Sequence, residues 1–330
     1  MNLETHYLGL KLSNPLIVGA SPYCDDLYAA TKLQDAGAAA IVMRSLFEEQ
    51  IEQEQRVLLH HLEDSTESTS EARSYFPAVE EYQLLSDEYL RQLERLRATL
   101  SIPVIASLNG CHPGGWTDYA VRFETAGASA IELNLYQLVT DPALRADDVE
   151  TEMLETVASV TSAVKIPVAV KISSFHTAPA QFVAGLEKAG AAGVVLFNRF
   201  YQPDFNIEEL TVEPQLKLSV PSELLLRLRW LAILSPHVKG SLAATGGVHS
   251  AEGIVKAILA GAHGVQLVSV LLRHGPQVMT SLLDGLRRWM SDHEYSSIDE
   301  FRGILNLRHC PSPAAYERAN YQRMLQSWRV

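Results

Sequence analysis

The chain has 330 residues, of which 47% are hydrophobic and 20% charged, a balance typical of a globular protein with a large core. Its formal net charge of -12 argues against a general nucleic-acid-binding protein, because a polyanionic partner requires a basic surface. The start, MNLETHYLGL, lacks the features of a secretory signal, and no apolar run approaches the roughly 20 residues of a membrane helix. Three widely spaced cysteines (Cys24, Cys111, Cys310) form neither a disulfide framework nor a CxxC metal pair, so we expect a cytosolic protein without bound metal.

Eight short apolar segments alternate with helical patterns from one end of the chain to the other. Several of them are continuous runs of valine, isoleucine and alanine, as expected of parallel strands that are covered on both faces. The candidate strands are residues 15–20, 39–45, 103–108, 129–135, 167–173, 192–198, 241–246 and 263–268.

The segments between these strands have apolar residues spaced as on one face of a helix. Three clear examples, residues 119–128, 181–191 and 252–262, end near a glycine, which is typical of a helix followed by its C-terminal cap. Eight such βα units without a long linker favour an α/β fold of the closed (β/α)8 TIM barrel type, in one domain that spans residues 1–330. An open α/β sheet is the alternative, although it accommodates eight parallel strands less well.

Two long insertions interrupt this alternation. Residues 46–102, after the second strand, contain a polar segment at 63–74 and a predicted helix around 85–99, and residues 199–225 follow the sixth strand. Both insertions begin at the carboxyl end of a strand, so we expect them to lie over the face where barrel active sites form. They are either lids or substrate walls, or surface additions without a role in the site.

The sharpest local signal lies at the ends of the seventh and eighth strands. The seventh strand ends in Gly246 and Gly247, the eighth ends in Val268 and Ser269, and a helical pattern follows each. Glycines at a strand end let backbone N–H groups approach an anion, and a helix N-terminus adds partial positive charge. Because these two loops form the recurrent phosphate site of such barrels, we predict phosphate binding here rather than two plain turns.

Polar residues also stand where several apolar strands end. One such residue is compatible with a satisfied core group, but five strands that end this way indicate side chains that converge on one ligand. Lys171 is the most informative, because PVAVK buries its stem and directs the ammonium toward the strand ends. The polar strand-end residues are Arg44, Ser45, Ser107, Asn109, Asn134, Lys171, Ser173, Ser174 and Asn198.

Several segments together resemble the dihydroorotate dehydrogenase family, specifically its soluble class 1 branch. They are NPLIVGAS, AGAAAIVMRS, SLNG, AIELNL, PVAVKIS, ATGGVHSAEGIVKAILAGAHGVQLVS and the late YSSIDEFRG. The resemblance runs almost from end to end, and the set is specific although no single segment is. It implies an FMN-binding barrel that acts on CH–CH groups, with a place in pyrimidine biosynthesis.

Carried over by position, the resemblance also implies which residues hold FMN and substrate. Lys171 would place a fixed cation beside the flavin pyrimidine ring and so stabilise the anionic reduced flavin. Arg44 replaces a lysine of the family, which keeps the charge but changes its hydrogen-bonding geometry. Asn198 falls where the family has an asparagine that contacts substrate. The implied FMN ligands are Ala20, Ser21, Arg44, Asn109, Asn134 and Lys171, with Gly246, Gly247, Val268 and Ser269 at the phosphate.

The chain departs from the family at the residue that carries the proton chemistry. Soluble members read NxSCPN, with a cysteine that takes the substrate proton, whereas this chain has Tyr136 and Gln137 after Asn134-Leu135, and the amide of Gln137 has no useful proton affinity. Two interpretations stay open. In one, Tyr136 exchanges the proton or His112 relays it; in the other, Tyr136 is an aromatic wall and the substrate is not dihydroorotate.

Other departures affect the substrate and phosphate segments. The nearest counterpart of the family's substrate segment is SYFP at residues 74–77, and LSVP at residues 218–221 stands where a glycine pair is expected. Arg199, directly after Asn198, is a candidate clamp for a substrate carboxylate, unless it is simply solvated. Cys24 follows the first strand at the same face, without support for a redox role.

These observations predict an FMN-dependent oxidoreductase that passes hydride between flavin N5 and a small substrate, either pyrimidine-like or otherwise anionic. One alternative is a non-catalytic or electron-transfer flavoprotein subunit. Another is a non-redox phosphate-binding barrel enzyme, which would need carboxylates at the strand ends, and we expect Glu132 to point elsewhere. Without a CxxC cluster or a GxGxxG motif, electrons must leave to a separate acceptor or partner protein. The resemblance implies a homodimer.

Overall fold

Eight parallel strands form a closed barrel in a computed structural model that describes residues 1–47, 85–110, 116–135, 137–199, 202–213, 217–316 and 319–327. Each strand pairs with the next one along the chain, and the eighth returns to the first, with Val265 opposite Leu16. The predicted (β/α)8 barrel is therefore confirmed. The strands are β1 Leu16–Val18, β2 Ala40–Val42, β3 Val104–Gly110, β4 Ala130–Leu135, β5 Val168–Ile172, β6 Gly193–Leu196, β7 Ser241–Thr245 and β8 Gly264–Leu267.

Helices alternate with these strands around the barrel. They are α1 Leu27–Asp35, α2 Leu85–Thr99, α3 Trp116–Thr125, α4 Ala146–Ala163, α5 Pro179–Lys188, α6 Leu224–Leu234, α7 Ala251–Ala260, α8 Ser269–His274, α9 Val278–Asp292 and α10 Ala319–Ser327. The three glycine-ended patterns become α3, α5 and α7, and Gly261 caps α7 with a left-handed φ of +116°. None of the described helices combines the length and apolar character that crossing a bilayer requires.

The second strand is shorter than the predicted 39–45. Ala40 and Val42 belong to the interior cluster of the barrel, so a regular strand would have directed Arg44 inward as well. β2 ends at Val42 instead, and the chain pairs with β3 again only through the short strand Leu46–Phe47. The break brings Arg44 to the surface and leaves Ser45 near the strand ends.

Both predicted insertions follow the strands from which they were expected. The helix predicted around 85–99 is confirmed as α2, whereas the polar segment 63–74 lies outside the described residues. The insertion after β6 contains an antiparallel hairpin, Asp204–Asn206 paired with Thr211–Glu213, which the sequence analysis did not predict. Its neighbours in the chain, Gln202 and Lys217, line the cavity described below.

A second hairpin closes the opposite end of the barrel. Its strands, Thr5–Tyr7 and Leu10–Leu12, pair antiparallel, and the Leu8 N–H donates to Ser241 Oγ at 2.9 Å, at the start of β7. Tyr7 is 1% exposed and packs inside the barrel. Four of the strands contribute alanine to this layer, which leaves room for the tyrosine ring. The interior residues are Leu8, Leu12, Ile17, Ala39, Ala40, Val42, Ile105, Ala130, Ala169, Val195 and Ala243.

Two glycines also make room for this N-terminal hairpin. A Cβ atom on Gly193 would lie 2.6 Å from Leu8 Cδ2 and 2.7 Å from the Ser241 carbonyl oxygen. A Cβ atom on Gly264 would lie 2.7 Å from Ile17 Cδ1. A side chain at Gly193 would therefore push the hairpin out of the barrel or distort β7, whereas one at Gly264 would displace the end of the Ile17 side chain, which packs in the same interior.

Gly193→Ala is expected to lower the free energy of unfolding by about 2 kcal/mol, because the opposing Ser241 carbonyl belongs to the backbone and cannot rotate away. Urea denaturation followed by circular dichroism measures the change. Gly185→Ala in α5 is the matched control, because its Cβ would meet only the methyl groups of Leu154, at 3.0 Å or more, and alanine favours a helix by about 1 kcal/mol. Equal stabilities for the two variants would contradict the close packing of the hairpin.

Candidate active site

A cavity of about 590 Å³ opens at the carboxyl ends of the barrel strands. Its volume lies within the range of about 300–1,000 Å³ that is typical of small-molecule sites. Among the polar strand-end residues, Ser107, Ser173 and Ser174 do not line this cavity. Every predicted FMN or substrate contact that the structure describes lines it, with the exception of Arg44. These residues, which follow or end every barrel strand other than β2, are Ala20, Ser21, Asn109, Asn134, Lys171, Asn198, Arg199, Gly246, Gly247, Val268 and Ser269.

Arg44 lies outside this cavity, contrary to the expectation that it contacts FMN. Its Nε atom is 3.3 Å from Asp25 Oδ1, and both side chains are exposed. It lines a neighbouring cavity of about 300 Å³, while Ser45 takes the place near the strand ends. The cause is the early end of β2 at Val42, which interrupts the alternation that would have turned Arg44 inward.

Asn134, on β4, is the centre of a hydrogen-bond cluster on the cavity floor. Its amide nitrogen donates to Ser45 Oγ at 2.7 Å and to Ser107 Oγ at 3.0 Å, and the two hydroxyl oxygens lie 2.8 Å apart. Both amide hydrogens are thereby used, so the group that Asn134 has left for a ligand is its carbonyl oxygen.

A buried ion pair lies next to this cluster. Lys171 Nζ on β5 is 3.1 Å from Glu132 Oε1 on β4, and Glu132 is only 1% exposed. The second carboxylate oxygen of Glu132 accepts a hydrogen bond from Gln266 Nε2 on β8. The expectation that Glu132 points elsewhere was wrong, because a buried carboxylate needs charged or polar partners and finds them inside the barrel.

Four buried polar atoms of cavity-lining residues have no hydrogen-bond partner within the described part of the chain. Leaving such an atom unpaired costs about 1–3 kcal/mol, so four of them around one cavity indicate a polar ligand. The set contains both acceptors and donors, which fits the pyrimidine edge of a flavin with its carbonyl oxygens and N–H group. The atoms are Ser21 Oγ, Asn134 Oδ1, Asn198 Nδ2 and Gln266 Oε1.

The glycine pair after β7 forms another wall of the cavity. Gly246 and Gly247 have φ angles of +87° and +79°, and a Cβ atom on Gly247 would collide with the backbone at the start of α6. The Gly247 N–H donates to Ser219 Oγ at 3.1 Å, and the Ser219 hydroxyl donates to Ser269 Oγ at 2.8 Å. The Ser219 N–H also donates to Ser269 Oγ, at 3.0 Å. Ser269 accepts both bonds, which leaves its own hydroxyl proton to donate to a ligand.

Arg199 lines the cavity and also makes polar contacts with the insertion after β6. Its Nη1 donates to the Lys217 carbonyl, and its Nε is 3.4 Å from Glu223 Oε2. Glu223 lies 4.0 Å from Arg227, whose Nε donates to the Thr245 carbonyl at 2.9 Å. Burial lowers the pKa of Arg227, which Glu223 partly offsets. Arg199 retains donor groups for a ligand because these contacts do not use all of its N–H bonds.

The predicted proton-transfer residues lie mostly beyond the described part of the chain. Tyr136, His112, Cys111 and residues 74–77 are outside it. Gln137, at the position of the family's cysteine, is half-buried and is not among the residues that line the cavity. Its side-chain oxygen has no partner among the described residues.

Four residues of the site were not predicted from the sequence. Glu132 was expected to point elsewhere, Ser45 was predicted only as a strand-end residue, Gln266 was given no role, and Ser219 was noted only as a departure from a glycine pair. One signal was available for Glu132 and Gln266, because each lies inside an otherwise apolar strand, where a polar residue requires a partner.

Cys24 is a buried thiol rather than a reactive one. It is 1% exposed, its Sγ donates to the Val42 carbonyl at 3.1 Å, and burial raises its pKa to about 12. A protonated thiol is a poor nucleophile, so these surroundings give no support for a redox role.

Cys24 is therefore expected to resist alkylation by iodoacetamide in the native protein at about pH 8, because the thiolate is the reacting form. The half-exposed Cys310 is the internal control and should be labelled under the same conditions. Peptide mapping by mass spectrometry measures both. Labelling of Cys24 as fast as Cys310 would show that the thiol is accessible and ionised.

Comparisons with known proteins agree with this architecture. The model of the dihydroorotate dehydrogenase family matches residues 2–290. A protein of Aeropyrum pernix named dihydroorotate dehydrogenase A (fumarate) is 31% identical over 217 residues, which cover 62% of this chain and 67% of that protein. The dihydroorotate dehydrogenase B (NAD(+)), catalytic subunit, of Thermoplasma volcanium is 24% identical over 317 residues, 92% of this chain and 98% of its own length.

A third relative carries a different name. The chloroplastic dihydropyrimidine dehydrogenase (NADP(+)) of Arabidopsis thaliana is 23% identical over 319 residues, which cover 89% of this chain and 75% of that protein. The family match spans most of the chain, and the closed barrel is the fold that the resemblance implied. This protein therefore belongs to the dihydroorotate dehydrogenase family and is a dihydroorotate dehydrogenase-like, flavin-dependent oxidoreductase.

Proposed function

We propose that this protein binds FMN in the cavity and exchanges hydride between flavin N5 and a small, cyclic substrate of the dihydropyrimidine type. The observation that carries the proposal is the set of four unpartnered polar atoms around one cavity, in a chain of the dihydroorotate dehydrogenase family. An apolar ligand would leave these atoms unsatisfied, whereas a flavin offers both donors and acceptors.

The lining residues divide between the ring and the phosphate of such a cofactor. FMN, when bound, supplies two-electron chemistry at its N5 atom. Asn134 and Gln266 offer carbonyl oxygens to the ring, and the Lys171 ammonium favours negative charge on the pyrimidine side. Ser269 offers a hydroxyl donor to the phosphate, beside the glycine pair. The remaining proposed FMN contacts are Ala20, Ser21, Asn109, Gly246, Gly247 and Val268.

Asn198 and Arg199 are the proposed substrate contacts. The buried amide of Asn198 has a free donor that suits a ring carbonyl, and Arg199 suits a carboxylate. Two of the relatives are named for dihydroorotate and one for dihydropyrimidine, compounds that share a ring and differ in the carboxylate. Binding of the carboxylate by Arg199 would therefore favour dihydroorotate over dihydropyrimidine as the substrate.

Hydride exchange at one carbon of a CH–CH group requires proton transfer at its neighbour. Gln137 cannot take a proton, so we propose that the phenolate form of the adjacent Tyr136 takes it and becomes the neutral phenol. A phenol with an ordinary pKa of about 10 is a better base at alkaline pH, and its reaction would therefore speed up as the pH rises. The competing role for Tyr136 is an aromatic wall against which the substrate packs.

The electron acceptor is proposed to be a separate molecule or partner protein in the cytoplasm, with the barrel as a homodimer. The names of the relatives specify three different compounds, fumarate, NAD(+) and NADP(+). Membership of the family therefore does not identify the electron acceptor. A carrier subunit without chemistry of its own is the second candidate, because the usual proton-transferring cysteine is replaced by Gln137.

The purified protein is expected to be yellow, and Ser219→Ala should weaken its FMN affinity about tenfold, because Ser269 and the Gly247 N–H each lose a partner. Fluorescence titration measures the affinity. Riboflavin, which lacks the phosphate, should bind the wild type and the variant alike. Ser173→Ala removes a buried hydroxyl that does not line the cavity and serves as the matched control.

Two outcomes would count against these assignments. A colourless protein that takes up no added FMN would overturn the proposed function. If Ser219→Ala weakens the binding of FMN and of riboflavin equally, the phosphate does not bind at the wall that contains Ser219.

Tyr136→Phe separates proton transfer from wall packing. Loss of an acid–base group is expected to slow flavin reduction by dihydroorotate about 100-fold or more in stopped-flow measurements, and to abolish the rise in rate with pH. Gln137→Ala is the control and should react at the wild-type rate. A Tyr136→Phe variant with an unchanged rate would leave Tyr136 as a wall, and a wild-type flavin that stays oxidised with every dihydropyrimidine would favour the carrier subunit.

A further inference from the structure

Glu132 is buried below the cavity without lining it. Its two carboxylate oxygens are divided between Lys171 on β5, at 3.1 Å, and Gln266 on β8. Both partners line the cavity. One carboxylate on β4 therefore connects two strands that are not neighbours of each other, across the interior of the barrel.

This arrangement determines which polar groups the cavity floor presents. Because Gln266 Nε2 donates to Glu132, the amide oxygen Oε1 is the atom left without a partner among the described residues. Lys171 gives one N–H to Glu132, and its ammonium carries two more. The floor thus offers one cation and one carbonyl oxygen, both oriented by the same carboxylate.

The charge balance of the pair depends on Glu132. A buried ammonium is stabilised by an adjacent carboxylate and is costly to keep charged without one. Two other titratable groups of the described chain interact with the pair: Tyr7, from the N-terminal hairpin, and Tyr89, from α2. Burial, and to a smaller extent the charge of Glu132, raises the pKa of both phenols. The cavity-floor residues on the remaining strands are Ser107, Asn109, Asn198 and Gln266, none of which titrates near neutral pH.

We propose that Glu132 is a positioning residue that acts through Lys171 and Gln266: it keeps the ammonium charged, turns the amide oxygen toward the flavin pyrimidine ring, and thereby sets the flavin reduction potential. The inference rests on the proposed binding of FMN. Glu132 does not touch the flavin in this arrangement, so its effect is transmitted by the two side chains that it holds.

The test is the flavin midpoint potential of the FMN-loaded protein measured between about pH 6 and 9, a range over which an ammonium that has lost its counter-ion is expected to give up its proton. At the acidic end, Glu132→Gln should have a higher potential than the wild type, because a negative charge has been removed. At the alkaline end its potential should fall below the wild type, because Lys171 then no longer supplies a cation. The two profiles should therefore cross.

Two further variants separate positioning from a structural role. In a Lys171→Met background, Glu132→Gln should lose the pH-dependent part of its effect, because the responding group is absent. Ser235→Ala removes a buried hydroxyl without a partner among the described residues, away from the cavity, and is the matched control, with a profile parallel to that of the wild type. If Glu132→Gln does not fold, Glu132→Asp keeps the charge but cannot reach both partners, and should shift the potential at every pH more than Ser235→Ala does.

The possible failures are distinguishable. Parallel profiles for Glu132→Gln and the wild type, an undiminished effect in the Lys171→Met background, or an aspartate variant that matches the wild type would overturn the positioning role and leave FMN binding intact. Failure of the wild type to take up FMN would overturn the proposed function and this inference together.

Discussion

A carboxylate that water cannot reach must find its partners inside the protein, and this requirement of Glu132 organises the floor of the cavity. Its desolvation is tolerated only because an ammonium and an amide approach it from β5 and β8. Those partners are thereby held at the strand ends in fixed orientations. The two partners that make this buried charge tolerable are thus also the groups that face a ligand.

The strands show how this interior changes character along the barrel axis. Interior positions recur every second residue, so each strand can pass from an apolar to a polar interior residue in one step. The lower positions hold small or aliphatic side chains packed around Tyr7, and the next positions are polar. The successive interior pairs are Ile105 and Ser107, Ala130 and Glu132, Ala169 and Lys171, and Ala243 and Thr245. Stability therefore concentrates at one end of the barrel and ligand chemistry at the other.

Much of the fold and most of the cavity could be predicted because they follow from local patterns. Eight apolar segments that alternate with helical spacing leave few topologies, and glycines or polar residues at strand ends must meet where the parallel strands end. Arg44 could not be placed, because no local signal marks the break after Val42. The roles of Glu132 and Ser219 depend on partners that are distant in the chain, so no local pattern predicts them. The strands of the N-terminal hairpin around Tyr7 are too short to show a periodic pattern.

The hairpin at the lower end of the barrel spans Thr5–Leu12, yet two of its hydrogen bonds reach residues much later in the chain. Leu8 donates to Ser241, and Thr5 Oγ1 donates to the His263 carbonyl at 3.0 Å. Because the ribosome adds about 5–20 residues per second, the hairpin emerges many seconds before the strands that receive it. Closure of the barrel therefore joins segments that are 233 and 258 residues apart in the chain, and a nascent chain stalled before β7 would leave the hairpin uncovered and open to chaperones.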